Sequence, residues 1–146
     1  MVRFLDSSVY LHAYLRPRRS LTPSEMEIKR KAVEILKRIE EGEFVVTSVV
    51  HLSEILNIVE GRLGLDRALE LLESMFSLGN LNIVDVSRED YGRALLLAEK
   101  FKISPNDAIG VLICNRLKIS EVYSFDKHYD NCLLYTSDAA DDGESV

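Results

Sequence analysis

Four short apolar runs, RFLD, EFVVTS, LNIVDV and EVYSF, recur along the chain, separated by segments whose apolar residues return at helical spacing. Parallel strands need a crossover of a dozen or more residues, which an amphipathic helix supplies, whereas a two-residue turn joins only antiparallel strands. The alternation therefore predicts the α/β class, as a three-layer α/β/α sandwich with helices on both faces of a central parallel sheet.

The helices read as follows. SVYLHAYL follows the first strand and ends before Pro17. A basic, proline-punctuated connector leads into a helix with a stripe of Ala32, Val33, Ile35, Leu36 and Ile39, which Gly42 stops. VVHLSEILNIVEG and LDRALELLESMFSLG are two helices separated by Gly61 and Gly64. REDYGRALLLAEKF is another, and SPNDAIGVLICNRLKI opens with Ser104 as N-cap and Pro105 at the first helical position.

A chain of 146 residues, 47% of them apolar, is expected to form one domain with one core. The two cysteines, Cys114 and Cys132, are too few for a disulfide framework and lack zinc-site spacing, which suits a reducing compartment. With no leader-like start and no apolar stretch of membrane-spanning length, a cytoplasmic protein without a membrane partner is expected. The segment CLLYTSDAADDGESV stands apart, with four acids, no basic residue and no apolar period, and CLLYTSDAAD resembles a translated sequencing-library adaptor. The expected organisation is one folded domain over residues 1–131, truncated at its C-terminus, and a non-native or disordered tail over 132–146. Without the tail's four acids the formal charge moves from −6 to −2, which removes the bias against a polyanionic partner.

Four acids fall where the pattern turns over. Asp6 and Asp126 end the first and fourth strand-like runs, while Glu54 and Asp107 lie near helix starts. In an open parallel sheet the carboxyl ends of strands meet along one edge, so these residues can converge on one crevice. Such a cluster persists if a cation neutralises it or some members bind protons, and an all-oxygen donor set suits a hard divalent metal. Each acid also has a structural reading. Asp6 can cap a helix, Glu54 can be a solvated surface residue, Asp107 occupies the capping-box position after Ser104, and Asp126 can be a turn residue. A haloacid-dehalogenase-type phosphatase needs a second acid two residues after Asp6, where Ser8 stands. A receiver domain built on Asp85 needs adjacent acids after the first strand and a lysine near the last, and both are absent.

LDSSV, TSVVHLSEIL, ISPNDAIGVLIC and YSFDKHYD together resemble the successive motifs of the PIN domain family, in its order, over nearly all of residues 2–131. Within that family the chain is most similar to the VapC-type ribonucleases of toxin–antitoxin pairs. The resemblance implies an endoribonuclease whose four acids Asp6, Glu54, Asp107 and Asp126 bind Mg²⁺ or Mn²⁺. It also implies an RNA substrate, a cognate antitoxin and a homodimer. Asp6 and Asp107 are the expected ligands, with Glu54 and Asp126 completing the shell or orienting water. The alternatives are a PIN-fold module that binds RNA or protein without cutting, and a housekeeping RNA-processing nuclease.

Several neighbours carry weaker signals. Ser7, Ser124 and Asn106 can bond a carboxylate or phosphate oxygen, or serve caps and turns. His12, His51 and His128 are scattered, and only His128 lies beside a candidate acid, as does Asp130. Arg16, Arg18, Arg19, Lys29, Arg30 and Lys31 can face phosphates or solvent. Ile58, Val59, Leu65, Leu69, Leu72, Met75 and Phe76 exceed what one buried helix face needs, and part of that surface is expected to pair with a second copy.

Overall fold

The computed structural model describes residues 1–126 and Tyr129. The elements run β1 (Arg3–Leu5), α1 (Ser7–Tyr14), α2 (Pro23–Glu40), β2 (Val45–Ser48), α3 (Val49–Leu63), α4 (Leu65–Phe76), β3 (Leu81–Val84), α5 (Arg88–Phe101), α6 (Pro105–Leu117) and β4 (Glu121–Tyr123). The strands form one parallel sheet in the order β3-β2-β1-β4. The expected end of the domain at residue 131, the tail after it, Cys132, His128 and Asp130 lie outside the described residues.

Side chains alternate across a strand, so neighbouring residues feed different layers. Leu5, Val45, Leu81 and Tyr123 pack with Val9, Ala32, Ile35, Leu52, Ile55 and Leu71, from α1 to α4. Phe4, Val46 and Val122 pack on the other face with Ala94, Ala108, Ile109, Ile113 and Cys114, from α5 and α6. The register places Phe4 opposite both Val46 and Val122, so one residue per strand forms a continuous row into the second layer. This is the three-layer α/β/α sandwich that the alternation predicts.

Local chemistry sets the boundaries. Thr22 and Glu25 close a capping box at α2, and Ser87 and Asp90 close another at α5. Asp90 also receives Arg116 from α6, and that hydrogen bond, with the Ser87 N–H, holds its carboxyl down at about 2. Chain reversal after α2 uses Gly42 at φ 118°, as expected. In the α2 stripe Ala32, Ile35, Leu36 and Ile39 are buried, but Val33 is exposed because it points off the stripe's centre line.

Gly61 and Gly64 do not act together as a separator. Gly61 sits inside α3, whereas Gly64 alone ends α3 and starts α4, at φ 96° and ψ 167°. That region is essentially closed to residues with a Cβ. Both positions have open space around them, so backbone conformation decides the effect of adding a methyl group. Gly64→Ala is expected to destabilise the fold by about 1–3 kcal/mol. Gly61→Ala is expected to stabilise it by about 0.4–1 kcal/mol, since it costs no strain and restricts the unfolded chain. Urea titrations of the two variants check the opposite signs.

Candidate active site at the carboxyl edge of the sheet

β2 and β3 extend the sheet on one side of β1, and β4 joins on the other, so the strand order reverses between β1 and β4. In open α/β sheets the carboxyl end of such a reversal leaves a crevice for ligands. Asp6 sits at this point. Its N–H bonds to the Tyr123 carbonyl at 3.0 Å, carrying the ladder one residue past β1, and its extended backbone turns the chain into α1.

The Asp6 carboxylate is buried, and donors from distant parts of the chain reach it. Oδ2 accepts from the Ser8 N–H at 3.3 Å and from Ser124 Oγ at 2.9 Å. Oδ1 accepts from the Tyr129 hydroxyl at 3.2 Å. The capping reading is thus correct, since the Ser8 bond is an N-cap bond. Capping needs neither Ser124 nor Tyr129, however. Gly110 on α6 makes room for Tyr129, because a Cβ there would collide with the phenol.

Ser7, next to Asp6, donates to Glu54 Oε1 at 2.7 Å. Glu54 is therefore a half-buried, fixed carboxylate rather than a solvated surface residue, and the first residue of α1 ties the β1 edge to α3. Ser124 serves as a hub, donating to Asp6 while accepting from the Asp126 N–H at 2.9 Å. Ser8 Oγ accepts from the Phe125 N–H at 3.0 Å, which pins the chain leading to Asp126 against α1. Ser7 and Ser124 thus both hold carboxylates, as one of their two sequence readings has it.

Asp107 stands half-buried in the first turn of α6. Its N–H donates to Ser104 Oγ at 3.1 Å. Unlike Glu25 in α2 and Asp90 in α5, its carboxylate does not return a bond to the N-cap N–H, so a capping box does not account for the acid. The negative charges of Asp6 and Asp107 both bear on Tyr129. With burial as the first cause, they hold its phenol well above the ordinary range and keep it a neutral donor. Burial, then Asp6, pushes the Cys114 thiol up to about 12, which leaves it a packing residue rather than a nucleophile.

A cleft of about 420 Å³ opens beside these groups. Glu54, Ser53, Asn57, Tyr91 and Asn106 supply its polar lining, and Val49, Val50 and Ile58 its apolar part. It connects Glu54 with the residue preceding Asp107. Among the described residues no three His, Cys, Asp or Glu side chains stand close enough to form a ready-made cation cage. The donor set is nevertheless hard oxygen, and Mg²⁺ commonly takes one or two carboxylates while keeping several waters, so these residues fit such an ion.

Sequence reading missed Tyr129, Ser8 and above all His51. His51 is fully buried, with Nε2 3.8 Å from Asp6 Oδ1, and burial holds its imidazole below the ordinary range against the opposing charges of Asp6 and Glu54. The available signal was its position three residues after Ser48 and three before Glu54, on one side of α3. Three of the six basic residues between Arg16 and Lys31 have partners within the chain, and the Lys31 ammonium is buried with no hydrogen-bond partner among the described residues. Arg19 pairs with Glu25, Arg30 with Glu27 and Glu34, and Lys29 donates to the Ala13 carbonyl. No helix among the described residues is long and apolar enough to cross a membrane.

The PIN domain model matches residues 3–132, and the chain belongs to the PIN domain family. Comparison with curated proteins finds no match. Among solved structures, the chain is similar to the Mycobacterium tuberculosis toxin VapC20, described as cleaving the sarcin-ricin loop. The TM-score is 0.68 at 17% identity, covering 92% of this chain and 97% of that one. It is also similar to VapBC2 from Rickettsia felis bound to a promoter DNA fragment, with TM-score 0.63, 14% identity and coverage of 94% and 98%. FitAcB from Neisseria gonorrhoeae follows, with TM-score 0.57, 17% identity and coverage of 94% and 96%. At these identities the likeness establishes the fold.

Proposed function

We propose that this PIN-domain protein is a metal-dependent endoribonuclease, the toxin of a toxin–antitoxin pair. The observation that carries the reading is the buried Asp6 carboxylate at the β1/β4 reversal, linked through Ser7 to Glu54 and through Ser124 to Asp126. The toxin assignment draws support from neighbours of the same fold, one of them described as a sarcin-ricin loop cleaving toxin and two named VapBC2 and FitAcB. The proposed partners are RNA, an antitoxin and a second copy of the chain.

Asp6 and Asp107 would hold Mg²⁺ or Mn²⁺, with Glu54 and Asp126 completing the shell or orienting water. When bound, the ion lowers the pKa of its water and stabilises charge on the phosphate. The rest is positioning by the chain. Ser124 and Ser8 fix one edge of Asp6, Tyr129 fixes the other as a neutral donor, and Ser7 aims Glu54 across the cleft. The second reading is a module that binds RNA or protein without cutting.

Asp107→Asn separates the readings. The cap uses the residue's backbone N–H, which Asn keeps, so stability should hold while RNA cleavage falls by orders of magnitude. EDTA should abolish cleavage by the wild type. Equal cleavage by wild type and variant, or cleavage unaffected by EDTA, would contradict the nuclease site.

The surface expected to pair two copies divides. Val59 and Met75 belong to the core, and Leu72 packs partly against it, whereas Leu65, Leu69 and Phe76 are 56%, 53% and 66% exposed on α4. These last three are the residues proposed to meet a second copy. Light scattering at micromolar concentration should give twice the monomer mass, and a monomer alone would exclude the pairing.

A further inference from the structure

Ser48 is the N-cap of α3, and its hydroxyl has a fixed hydrogen-bonding capacity of two acceptor sites and one proton. The N–H groups of Val50 and His51 both donate to its Oγ, each at 3.2 Å, and occupy the acceptor sites. The third neighbour is His51 Nδ1 at 2.6 Å. Only the hydroxyl proton remains for that contact, so Ser48 donates and Nδ1 accepts. A neutral imidazole that accepts at Nδ1 carries its proton on Nε2. The cap of the helix therefore sets the tautomer of a buried histidine.

That Nε2 is fully buried and has no hydrogen-bond acceptor among the described residues. Phe4 stands edge-on to the ring at 5.0 Å between centroids, which restricts the imidazole to its present plane. The group it faces is Asp6 Oδ1, 3.8 Å away. This is beyond a hydrogen bond, and a shift of about 1 Å would make one. Three donors already hold the other acceptor positions of the carboxylate. Among the described residues the Nε2–H is thus the remaining donor beside the carboxylate, close to Oδ1 without a hydrogen bond to it.

We propose that His51 is a positioning residue for Asp6, held by Ser48 as the Nε2–H tautomer so that this N–H sets the orientation of the carboxylate. The inference rests on the metal-nuclease reading of the same site. Loss of a partner that orients a ligating carboxylate typically weakens metal binding by about 10- to 100-fold.

Two measurements test it. In wild-type protein, ¹⁵N correlation spectra of the His51 ring should show a protonated Nε2 and an acceptor-type Nδ1, and the reverse pattern would overturn the proposal without any substitution. Mn²⁺ titration followed by electron paramagnetic resonance should show His51→Phe binding at least about 10-fold more weakly than wild type. His51→Gln, whose amide N–H falls at the Nε2 position, should restore most of that loss, and His51→Asn, whose amide reaches only the Nδ1 position, should not. Thermal midpoints measured in parallel separate these effects from packing. If wild type binds Mn²⁺ and His51→Phe binds it equally well, or Gln and Asn behave alike, the positioning role fails while the metal site stands. If wild type binds no Mn²⁺, the nuclease reading fails and the role falls with it.

Discussion

The hydrogen bond from Ser124 Oγ to Asp6 Oδ2 crosses the one place in the sheet where strand order reverses, joining residues 118 positions apart. Everything at the carboxyl edge is arranged about it. Ser124 can reach Asp6 because β1 and β4 pair in parallel with Leu5 opposite Tyr123, which brings the next residues of both strands level. The same hydroxyl accepts the Asp126 N–H, so the direction of the chain after β4 is set by the residue that holds Asp6. A charge-assisted bond of this kind is stronger than a neutral one, and in a buried setting losing it would leave the carboxylate with only the Ser8 N–H and the Tyr129 hydroxyl as donors.

Around that bond, helices α1, α3 and α6 deliver the other groups. Ser7 of α1 fixes Glu54 of α3, Gly110 of α6 leaves the space that Tyr129 fills, and Ser48 at the head of α3 holds His51 beside Asp6. Neutral donors surround Asp6, as the raised phenol of Tyr129 and the lowered imidazole of His51 require. The nearby carboxylates are thus held by hydroxyls and N–H groups, with no lysine or arginine bonded to Asp6 or Glu54 among the described residues. Chemistry that needs a cation can then draw on Asp6 and Glu54, which no lysine or arginine among the described residues has neutralised.

Much of this was legible in the sequence, for reasons that differ by residue. The alternation of apolar runs and helical segments gives the layers because parallel pairing demands crossovers, and Ser104 and Gly42 mark boundaries by local chemistry alone, whereas the capping boxes at Thr22 and Ser87 emerge only in the structure. The acids stood out because they sit at turnover points. Their tertiary roles were not legible one at a time, since Glu54 reads as solvated until Ser7 is placed against it. His51 is hard to pick out because a ring within the apolar run VVHL looks like core, and Tyr129 because it stands among the polar residues DKHYD with no periodic signal, yet both are buried and turn one polar atom towards Asp6. The apolar excess of α3 and α4 is smaller than the sequence suggests because Val59 of α3 and Met75 of α4 pack into the core, leaving Leu65, Leu69 and Phe76 outside. Of the basic residues that read as available to phosphates, Arg30 pairs with the acids three before and four after it on α2, and Arg19 pairs with Glu25.

The central claim is that acids delivered by β1, α3, α6 and the segment after β4 serve one divalent ion. Its most direct test is an anomalous difference map from a crystal of this protein soaked in Mn²⁺. The account expects a peak within coordination distance of Asp6, on the side facing Asp107 and the Glu54 cleft. A map with full Mn²⁺ occupancy elsewhere and no peak at Asp6 would contradict it.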